Sequence, residues 1–381
     1  LLHLAVERGP SMLKFLLEER KMQIDSIEHG LVRLAASNNS ESLEFLLDRL
    51  DSQKIEEILT AEDDDGNNIF HIVAASRNLD SLSILLGFDS LLVGDALQHV
   101  NADGNSALHL ACQSDWENGV AQMCESAVPL DEPDDDGNTP LHTAVIRGSV
   151  GCARHLLNAS ASLDVRNKEG FTPLEEAVLR GHMDILQLAL EGWPGAVVSS
   201  RDLQGRNLLE LVASLTCNVE MLAALREAGL PLDNPSSKFE SPLLLALQAQ
   251  ERHSKDSQFF QTADEAMFSL LHWGTSPSCV DQDGVPFIHH LAQSPQDGKA
   301  DLLLACLEAA STHSAPDADS PEGGDTSSKQ RMDVFWEENR NSNGDTALHA
   351  AVLAGNIRTV DLLLRHGAPV DATTSQGHQT A

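Results

Sequence analysis

Histidine recurs along this chain beside cysteine or a second histidine, in arrangements that could bind a transition metal. His109 is followed by Cys112, and His289 by His290. A structural zinc ion takes four such ligands, usually from two closely spaced pairs. Each arrangement supplies only one pair, and the six cysteines of the chain form no Cys-x-x-Cys motif. We therefore expect no metal and no other cofactor.

Acidic residues are the second group whose chemistry must be considered. Asp63–Asp65 and Asp134–Asp136 each precede Gly-Asn, but they lack the spacing and the twelfth-position glutamate of a calcium-binding EF-hand loop, so we predict solvent-exposed turns. The pair Glu175-Glu176 could serve acid–base catalysis, but no pattern around it implies a cleft. The chain has no glycine-rich phosphate loop and no nucleophile elbow. We predict that it is not an enzyme and has no catalytic residues.

One phrase surrounds most of these residues and returns along the whole chain. It reads Gly-Asn-Thr-Pro-Leu-His at 137–142, and variants begin at Gly104, Gly170 and Gly344. Aligning its histidine position identifies His3, Arg33, His71, His109, His142, Glu175, Glu210, Leu244, His289 and His349. The spacing is 33 to 35 residues in the middle and reaches 60 residues before the last occurrence. This periodicity indicates a repeat protein.

Each repeat carries the signals of a turn followed by two helices. Asp-x-x-Gly places glycine where a turn needs positive φ. Thr139 is then a suitable N-cap residue, and Pro140 is a suitable first helical residue. Paired leucines such as Leu156-Leu157 give the second helix an apolar face, which one repeat cannot bury alone. The sequence therefore predicts stacked helix pairs.

The Thr-Pro-Leu-His-x-Ala sequence at 139–144 resembles the signature of the ankyrin repeat, and the resemblance extends over nearly the whole chain. It implies an all-α ankyrin-repeat solenoid over residues 1–381, with about ten helix-turn-helix units and β-hairpin fingertips. Because Leu1-Leu-His3 already lies inside a repeat, we expect a fragment of a larger protein. In this family the recurring histidine hydrogen-bonds the neighbouring hairpin, and the fingertips and first helices line a concave groove that binds proteins.

Candidate groove residues follow from aligning the repeats. We predict partner-binding residues at the fingertips, on the inner helices and at one interhelical turn: Asp103, Asn105, Asp136, Asn138, Glu169, Phe171 and Arg206, then Ser114, Arg147 and Arg180, and finally Trp116. Phe171 is apolar at a usually polar position, so we interpret it as a contact anchor, and we expect Trp116 to be exposed. Arg147 and Arg180 form either a basic pair for a partner or local ion pairs with neighbouring carboxylates.

Two segments interrupt the repeat spacing and are candidate binding loops. The first, 248–263, is polar except for Phe259-Phe260, which either packs on the stack or forms an exposed contact. The second, 311–333, is acidic and serine-rich, and its low hydrophobicity predicts disorder. It contains Ser320, a candidate for proline-directed phosphorylation, and Trp336 follows it as a further candidate contact.

The formal net charge of −33 restricts the kinds of partner. Nucleic acid and anionic membranes are excluded for this segment, because neutralising phosphates requires clustered lysine and arginine. A basic protein partner is favoured. No apolar run reaches the roughly 18 residues of a membrane span. The scattered cysteines favour free thiols in a reducing compartment, so we expect a cytoplasmic protein.

Two segments of the second half resemble repeats of a narrower group. The repeat that begins Glu240-Ser-Pro-Leu-Leu-Leu-Ala and the segment Gly284-Val-Pro-Phe-Ile-His-His-Leu-Ala-Gln are similar to repeats of rabankyrin-type endosomal Rab effectors. The resemblance implies a non-catalytic scaffold or adaptor in endosomal membrane trafficking, with a small GTPase as partner. The alternatives are the substrate-recruiting arm of a larger enzyme, such as a ubiquitin ligase or kinase, and a purely structural assembly protein.

Overall fold

The helices fall into two compact units, which are described separately. In the computed structural model these units are Leu1–Gly192 and Trp193–Ala381. The structure describes residues 2–19, 29–126, 128–233, 241–253, 256–294, 299–313 and 328–373.

The first unit is a stack of helix pairs. Its helices are α1 (Leu2–Arg8), α2 (Pro10–Lys14), a π-helical turn (Phe15–Glu19), α3 (His29–Asn38), α4 (Ser40–Leu47), α5 (Ser52–Thr60), α6 (Ile69–Ser76), α7 (Leu79–Leu86), α8 (Ser90–Gln98), α9 (Ala107–Gln113), α10 (Glu117–Cys124), α11 (Pro140–Arg147), α12 (Val150–Asn158), α13 (Pro173–Arg180) and α14 (Met183–Gly192). The pairs are α1–α2, α3–α4, α6–α7, α9–α10, α11–α12 and α13–α14. First helices pack on first helices and second on second. Each pair thereby buries the apolar face of its neighbour.

The second unit repeats this arrangement with longer helices. Its helices are α15 (Pro194–Ser199), α16 (Leu208–Leu215), α17 (Val219–Glu227), α18 (Pro242–Arg252), α19 (Ser257–Trp273), α20 (Phe287–Gln293), α21 (Lys299–His313), α22 (Ser328–Glu338), α23 (Ala347–Ala354) and α24 (Ile357–Arg365). The pairs are α16–α17, α18–α19, α20–α21 and α23–α24, and helices of successive pairs are in contact. The predicted all-α repeat class is confirmed.

Additional helices explain where the repeat spacing exceeds its usual value. In the first unit, α5 and α8 each follow the second helix of a pair, and the spacing is 38 residues at both places. Ile58 and Leu59 of α5 and Leu97 of α8 are buried, so the extra residues add to the core rather than forming a loop. The helix α22 occupies the equivalent place before the last pair of the second unit.

The connections between pairs are turns rather than the predicted β-hairpins. Pairing of β type in the described ranges consists of isolated bridges, Val100 with Ser106 and Val280 with Pro286. In the first unit successive turns are joined by single main-chain bonds, for example from the Lys168 N–H to the Asp136 carbonyl at 3.0 Å. One bond between neighbouring turns does not make a ladder, so no strand forms among the turns that the structure describes.

The turns of the first unit lie close together because their glycines lack a side chain. Gly104 has φ 74°, and a Cβ atom placed there would lie 2.6 Å from the Asp135 amide nitrogen. Glycine at this position is therefore required both by its backbone conformation and by the contact with the next turn.

Residues 248–263, predicted as an insertion, extend both helices of their pair. The helix α18 continues to Arg252 and α19 begins at Ser257. Ala249 of α18 and Ala263 of α19 are fully buried, so one alanine on each helix continues the packing face within a polar segment. The Phe259 ring lies 4.4 Å from the His253 ring, and the Phe260 ring lies 5.5 Å from Lys299 Nζ. Both phenylalanines are half-buried, which favours packing on the stack over an exposed contact.

The predicted disordered segment 311–333 is too wide at both ends. Its first residues belong to α21, which ends at His313, and its last belong to α22, which begins at Ser328. Phe335 and Trp336 are buried with their rings 5.3 Å apart, and their burial holds α22 in place. Trp336 is therefore a core residue rather than an exposed contact. Ser320 lies outside the described residues.

Candidate functional site

In the middle of the first unit the recurring histidine joins its helix pair to the following turn. His109 Nε2 lies 2.9 Å from the Asn138 carbonyl oxygen, and His142 Nε2 lies 3.0 Å from that of Phe171. A carbonyl can only accept, so each Nε2 carries the proton, while Nδ1 accepts from the N-cap N–H at 3.2 Å. The predicted hydrogen bond to the neighbouring hairpin segment is confirmed. Burial lowers the pKa of both rings, which favours this neutral form.

Glutamate replaces histidine at position 175 and is used structurally. A Glu175 carboxylate oxygen accepts from the Thr172 N–H at 3.2 Å, which caps α13. The same oxygen lies 2.9 Å from Arg166 Nη1, and Glu175 is 1% exposed. A carboxylate taken up by an N-cap and an arginine is a buried ion pair, and this arrangement explains its place in the repeat without catalysis.

A cleft of about 510 Å³ opens in the first unit between the turns and first helices of successive repeats. Its lining residues are Gln113, Asp134, Asp136, Asn138, Thr143, Ile146, Arg147, Asn167, Lys168, Glu169, Glu176 and Arg180. The structure thus brings together five of the predicted groove residues, which are Asp136, Asn138, Arg147, Glu169 and Arg180. We call this space the interrepeat cleft.

Exposed carboxylates form the rim of the interrepeat cleft. Asp136 and Glu169 occupy equivalent positions on successive turns, and both are exposed. Asp134 differs, because its Oδ1 accepts from the N–H groups of Asp136 and Asn138 at 2.9 and 2.7 Å and shapes the turn. Among the residues that the structure describes, no side chain pairs with the carboxylates of Asp136 or Glu169. The rim therefore presents two negative charges to solvent.

Two arginines also line the cleft, and each is oriented through its Nε atom. Arg147 Nε donates to the Gln113 carbonyl at 3.1 Å, and Arg180 Nε donates to Glu176 Oε2 at 2.9 Å. Glu176 is 1% exposed and also accepts from Asn167 Nδ2 at 3.3 Å. The predicted local ion pair is thus present for Arg180, whereas Arg147 bonds a main-chain carbonyl of the preceding repeat.

Three further predicted residues do not line the cleft, and two of them have structural contacts. Asn105 is buried; its side-chain oxygen accepts from Gln113 at 3.0 Å, and its carbonyl oxygen lies 2.8 Å from His71 Nε2. Ser114 Oγ donates to the Ala111 carbonyl at 3.1 Å. Asp103 is exposed, but it does not line the cleft.

The expectation that Trp116 is exposed is wrong. Trp116 is 7% exposed and forms the N-cap of α10. Gly119 makes room for the indole, since a Cβ atom there would lie 2.1 Å from the ring. The interhelical turn of this repeat therefore lacks its usual small residue, and Gly119 in the first turn of α10 provides the space that the indole fills.

Phe171 and Arg206 do not take part in the cleft. Phe171 is half-buried, and its N–H donates to Asn167 Oδ1 at 3.0 Å within the turn. Arg206 belongs to the second unit, where its Nε lies 2.7 Å from Asp202 Oδ2 and its Nη1 donates to Ser214 at 3.1 Å. Arg206 is thereby held by its own repeat, which accounts for its low exposure.

Several cleft residues escaped sequence reasoning, although the repeat period relates them to one another. Thr143 and Glu176 are 33 residues apart, directly after the histidine position, as Arg147 and Arg180 are four residues later. The same offset relates Asp134 to Asn167. The repeat period would have identified the second member of each pair only after the first had been chosen, and neither Thr143 nor Asp134 was a predicted groove residue; Ile146 has no polar signal of its own.

Comparison with protein-family models matches two parts of the chain. Residues 88–167 match a model of three ankyrin repeat copies, and residues 343–375 match the single ankyrin repeat. The chain contains ankyrin repeats. No curated protein matches it. Ankyrin repeats are protein-interaction modules and are typically non-catalytic, so the interrepeat cleft, bounded largely by matched residues, is a protein-binding candidate.

The described helices include none that is long and apolar enough to cross a membrane. Within the described ranges, no three or more His, Cys, Asp or Glu side chains are grouped so that they could hold a metal ion. The six cysteines are free thiols.

Proposed function

We propose that this ankyrin array is a non-catalytic scaffold or adaptor that binds a protein partner through the interrepeat cleft. The supporting observation is that the cleft combines exposed turn residues, such as Asp136 and Glu169, with inner-helix residues, such as Arg147, from successive repeats. An extended segment of a partner lying along the cleft would meet an acidic turn residue and an inner-helix arginine in each of two successive repeats. Rigid helix pairs hold that pattern, so little ordering is needed on binding.

We propose further that the partner is basic or partly basic. Asp103, Asp136 and Glu169 are exposed at equivalent positions of three turns, and the net charge of the chain is −33. Such a field accelerates encounter with a positively charged partner. Association should therefore slow as salt is added, because salt screens attraction between exposed charges.

The test compares two arginine variants in the same unit. Arg147→Glu changes the cleft, whereas Arg154→Glu changes an exposed residue of a separate shallow groove. Protein captured from a cell lysate should be lost with Arg147→Glu and retained with Arg154→Glu, while both variants keep their melting temperature. Phe171→Ala should weaken capture less than Arg147→Glu, because the ring is half-buried and does not line the cleft. Equal capture by all variants would place the binding surface elsewhere.

We propose an endosomal trafficking role in the cytoplasm, with a small GTPase as partner. The similarity of the segments around 240–271 and 284–293 to repeats of endosomal Rab effectors supports this proposal. Immobilised chain should retain endosomal Rab GTPases loaded with a GTP analogue and not those loaded with GDP. Equal retention of both nucleotide forms, or of neither, would contradict it.

A further inference from the structure

The two cleft arginines are held so that the ends of their guanidinium groups remain available. Each uses Nε for a hydrogen bond, to the Gln113 carbonyl in one case and to Glu176 in the other. In the part of the chain that the structure describes, no hydrogen bond involves the Nη atoms of Arg147 or Arg180. Both side chains are exposed on the cleft side. Two oriented guanidinium groups therefore present unused N–H donors to one space.

Guanidinium N–H groups match the geometry of a carboxylate. Arginine binds carboxylates through two parallel N–H···O bonds, and such charge-assisted bonds are stronger than neutral ones. The Nε bonds reduce the freedom that each side chain would lose on binding, which favours the complex. The arrangement thus fits one carboxylate at Arg147 and Arg180.

The remaining charges of the cleft decide which anion it can take. Asp134, Asp136, Glu169 and Glu176 also line it, with Lys168 as its third cation. A singly charged carboxylate adds little repulsion beside these carboxylates, whereas a doubly charged phosphate adds more. The exposed rim carboxylates of Asp136 and Glu169 favour cations on either side of the anion.

We infer that the interrepeat cleft selects a basic peptide segment that carries one aspartate or glutamate, whose carboxylate binds to Arg147 and Arg180 while flanking lysines or arginines meet Asp136 and Glu169. This inference rests on the proposed function and adds the chemistry of the bound segment. It reverses the simplest expectation from the net charge, because the specific contact is made by an acidic residue.

The experiment uses short fluorescent peptides of lysine, serine and glycine that differ only at the central residue. That residue is Glu, Gln or phosphoserine, and binding to the whole chain is followed by fluorescence anisotropy. We expect the Glu peptide to bind roughly tenfold more tightly than the Gln peptide, as charge-assisted hydrogen bonds to arginine support. The phosphoserine peptide should bind no better than the Glu peptide.

Variants of the chain connect that preference to the two arginines. Arg147→Gln should abolish the preference for Glu over Gln, whereas Arg154→Gln should leave it unchanged. Because Arg180→Gln leaves buried Glu176 without its ion pair, it is tested together with Glu176→Gln, which removes the stranded charge. This double variant should also lose the preference while still binding the Gln peptide.

The outcomes separate this inference from the proposed function. Equal binding of the Glu and Gln peptides would overturn the carboxylate contact and leave the basic partner standing. Tighter binding of the phosphoserine peptide would overturn the choice of a carboxylate. If none of the peptides binds, the inference is wrong, and the proposed function is then judged by capture with Arg147→Glu alone.

Discussion

The two units use the same helix pair but hold their turns differently. In the first unit three consecutive repeats have histidine at the recurring position, and His71, His109 and His142 each bond the carbonyl of the next turn. In the second unit that position is held by Glu210 and Leu244 before histidine returns. Helix packing and turn stacking are therefore separate properties of a repeat.

The second unit places more of its core in long helices. The seventeen residues of α19 pack on α17, α18 and α21. Leu244, at the histidine position, is a buried apolar residue and has no polar atom to reach a turn. Even the buried Lys299 is held between helices, with Nζ bonded to Gln250 and 3.8 Å from Asp264. Turn-to-turn bonds matter less where helix contacts are this extensive.

Glycine-to-alanine substitutions should show the largest difference between the units. Gly104 and Gly284 both have φ 74°, but a Cβ atom at Gly104 would lie 2.6 Å from the Asp135 nitrogen, whereas Gly284 has no atom within 4 Å of that point. Gly104→Ala should lower the free energy of unfolding by about 4 kcal/mol, from left-handed strain plus the clash. Gly284→Ala should cost only about 1 kcal/mol, from strain alone.

Urea unfolding of the two variants measures this difference, and peptide-resolved hydrogen exchange assigns it to a unit. Equal losses would mean that the turns of the first unit can move apart, and the contact between turns would not be a property that distinguishes the units.

Much of the fold could be predicted from the sequence, because its signals are local. Thr139 and Pro140 start α11, and Gly148 ends it with φ 71°, as cap and turn preferences require. The bond from the recurring histidine to the next turn was also predictable, because the carbonyl that accepts it lies one repeat further along the chain. The extra helices α5 and α8 were missed, since a short helix between repeats changes the spacing without changing the signature.

The site was less predictable, because exposure depends on neighbours that a repeat alignment does not include. Trp116 fills space left by Gly119, and Trp336 is buried with Phe335. Asn105 was selected as a groove residue and is buried with its carbonyl bonded to His71. Arg147, Arg180, Asp136, Asn138 and Glu169 do line one cleft, because the repeat period places them on the same side of neighbouring repeats.

Acidification should destabilise the first unit more than the second, by a smaller amount than the glycine substitutions do. Burial lowers the pKa of His71 to about 4, and it lowers the pKa values of His109 and His142 as well. Above the ordinary histidine pKa of about 6.5 both states are neutral. Below it the unfolded chain binds protons first, so stability is lost as pH falls from about 6.5 toward the folded pKa. His71 alone should cost about 2 kcal/mol at a pH near 5.

The second unit contains groups whose pKa shifts have the opposite effect on stability as pH falls. Burial raises the pKa values of Glu210 and Asp233, so protonating them as pH falls favours the folded state. His289 and Asp281 are exceptions, because burial lowers the pKa of His289 and hydrogen bonds, including those from Val285 and His290, lower the pKa of Asp281. Hydrogen exchange at neutral and mildly acidic pH should therefore show earlier loss of protection in the first unit. Simultaneous loss in both units would show that these histidines do not set the difference.

The smallest effect should come from removing one histidine in each unit. His142 caps its helix and bonds the Phe171 carbonyl, whereas His349 makes the equivalent cap but its buried Nε2 has no partner in the described chain. His142→Leu should therefore cost about 1 kcal/mol more than His349→Leu, because only the former leaves a turn carbonyl without its donor. Urea midpoints of both variants measure the difference. A larger loss with His349→Leu would show that the cap, and not the bond to the next turn, is what histidine contributes at this position. The double substitution should be additive, since the two residues belong to different units.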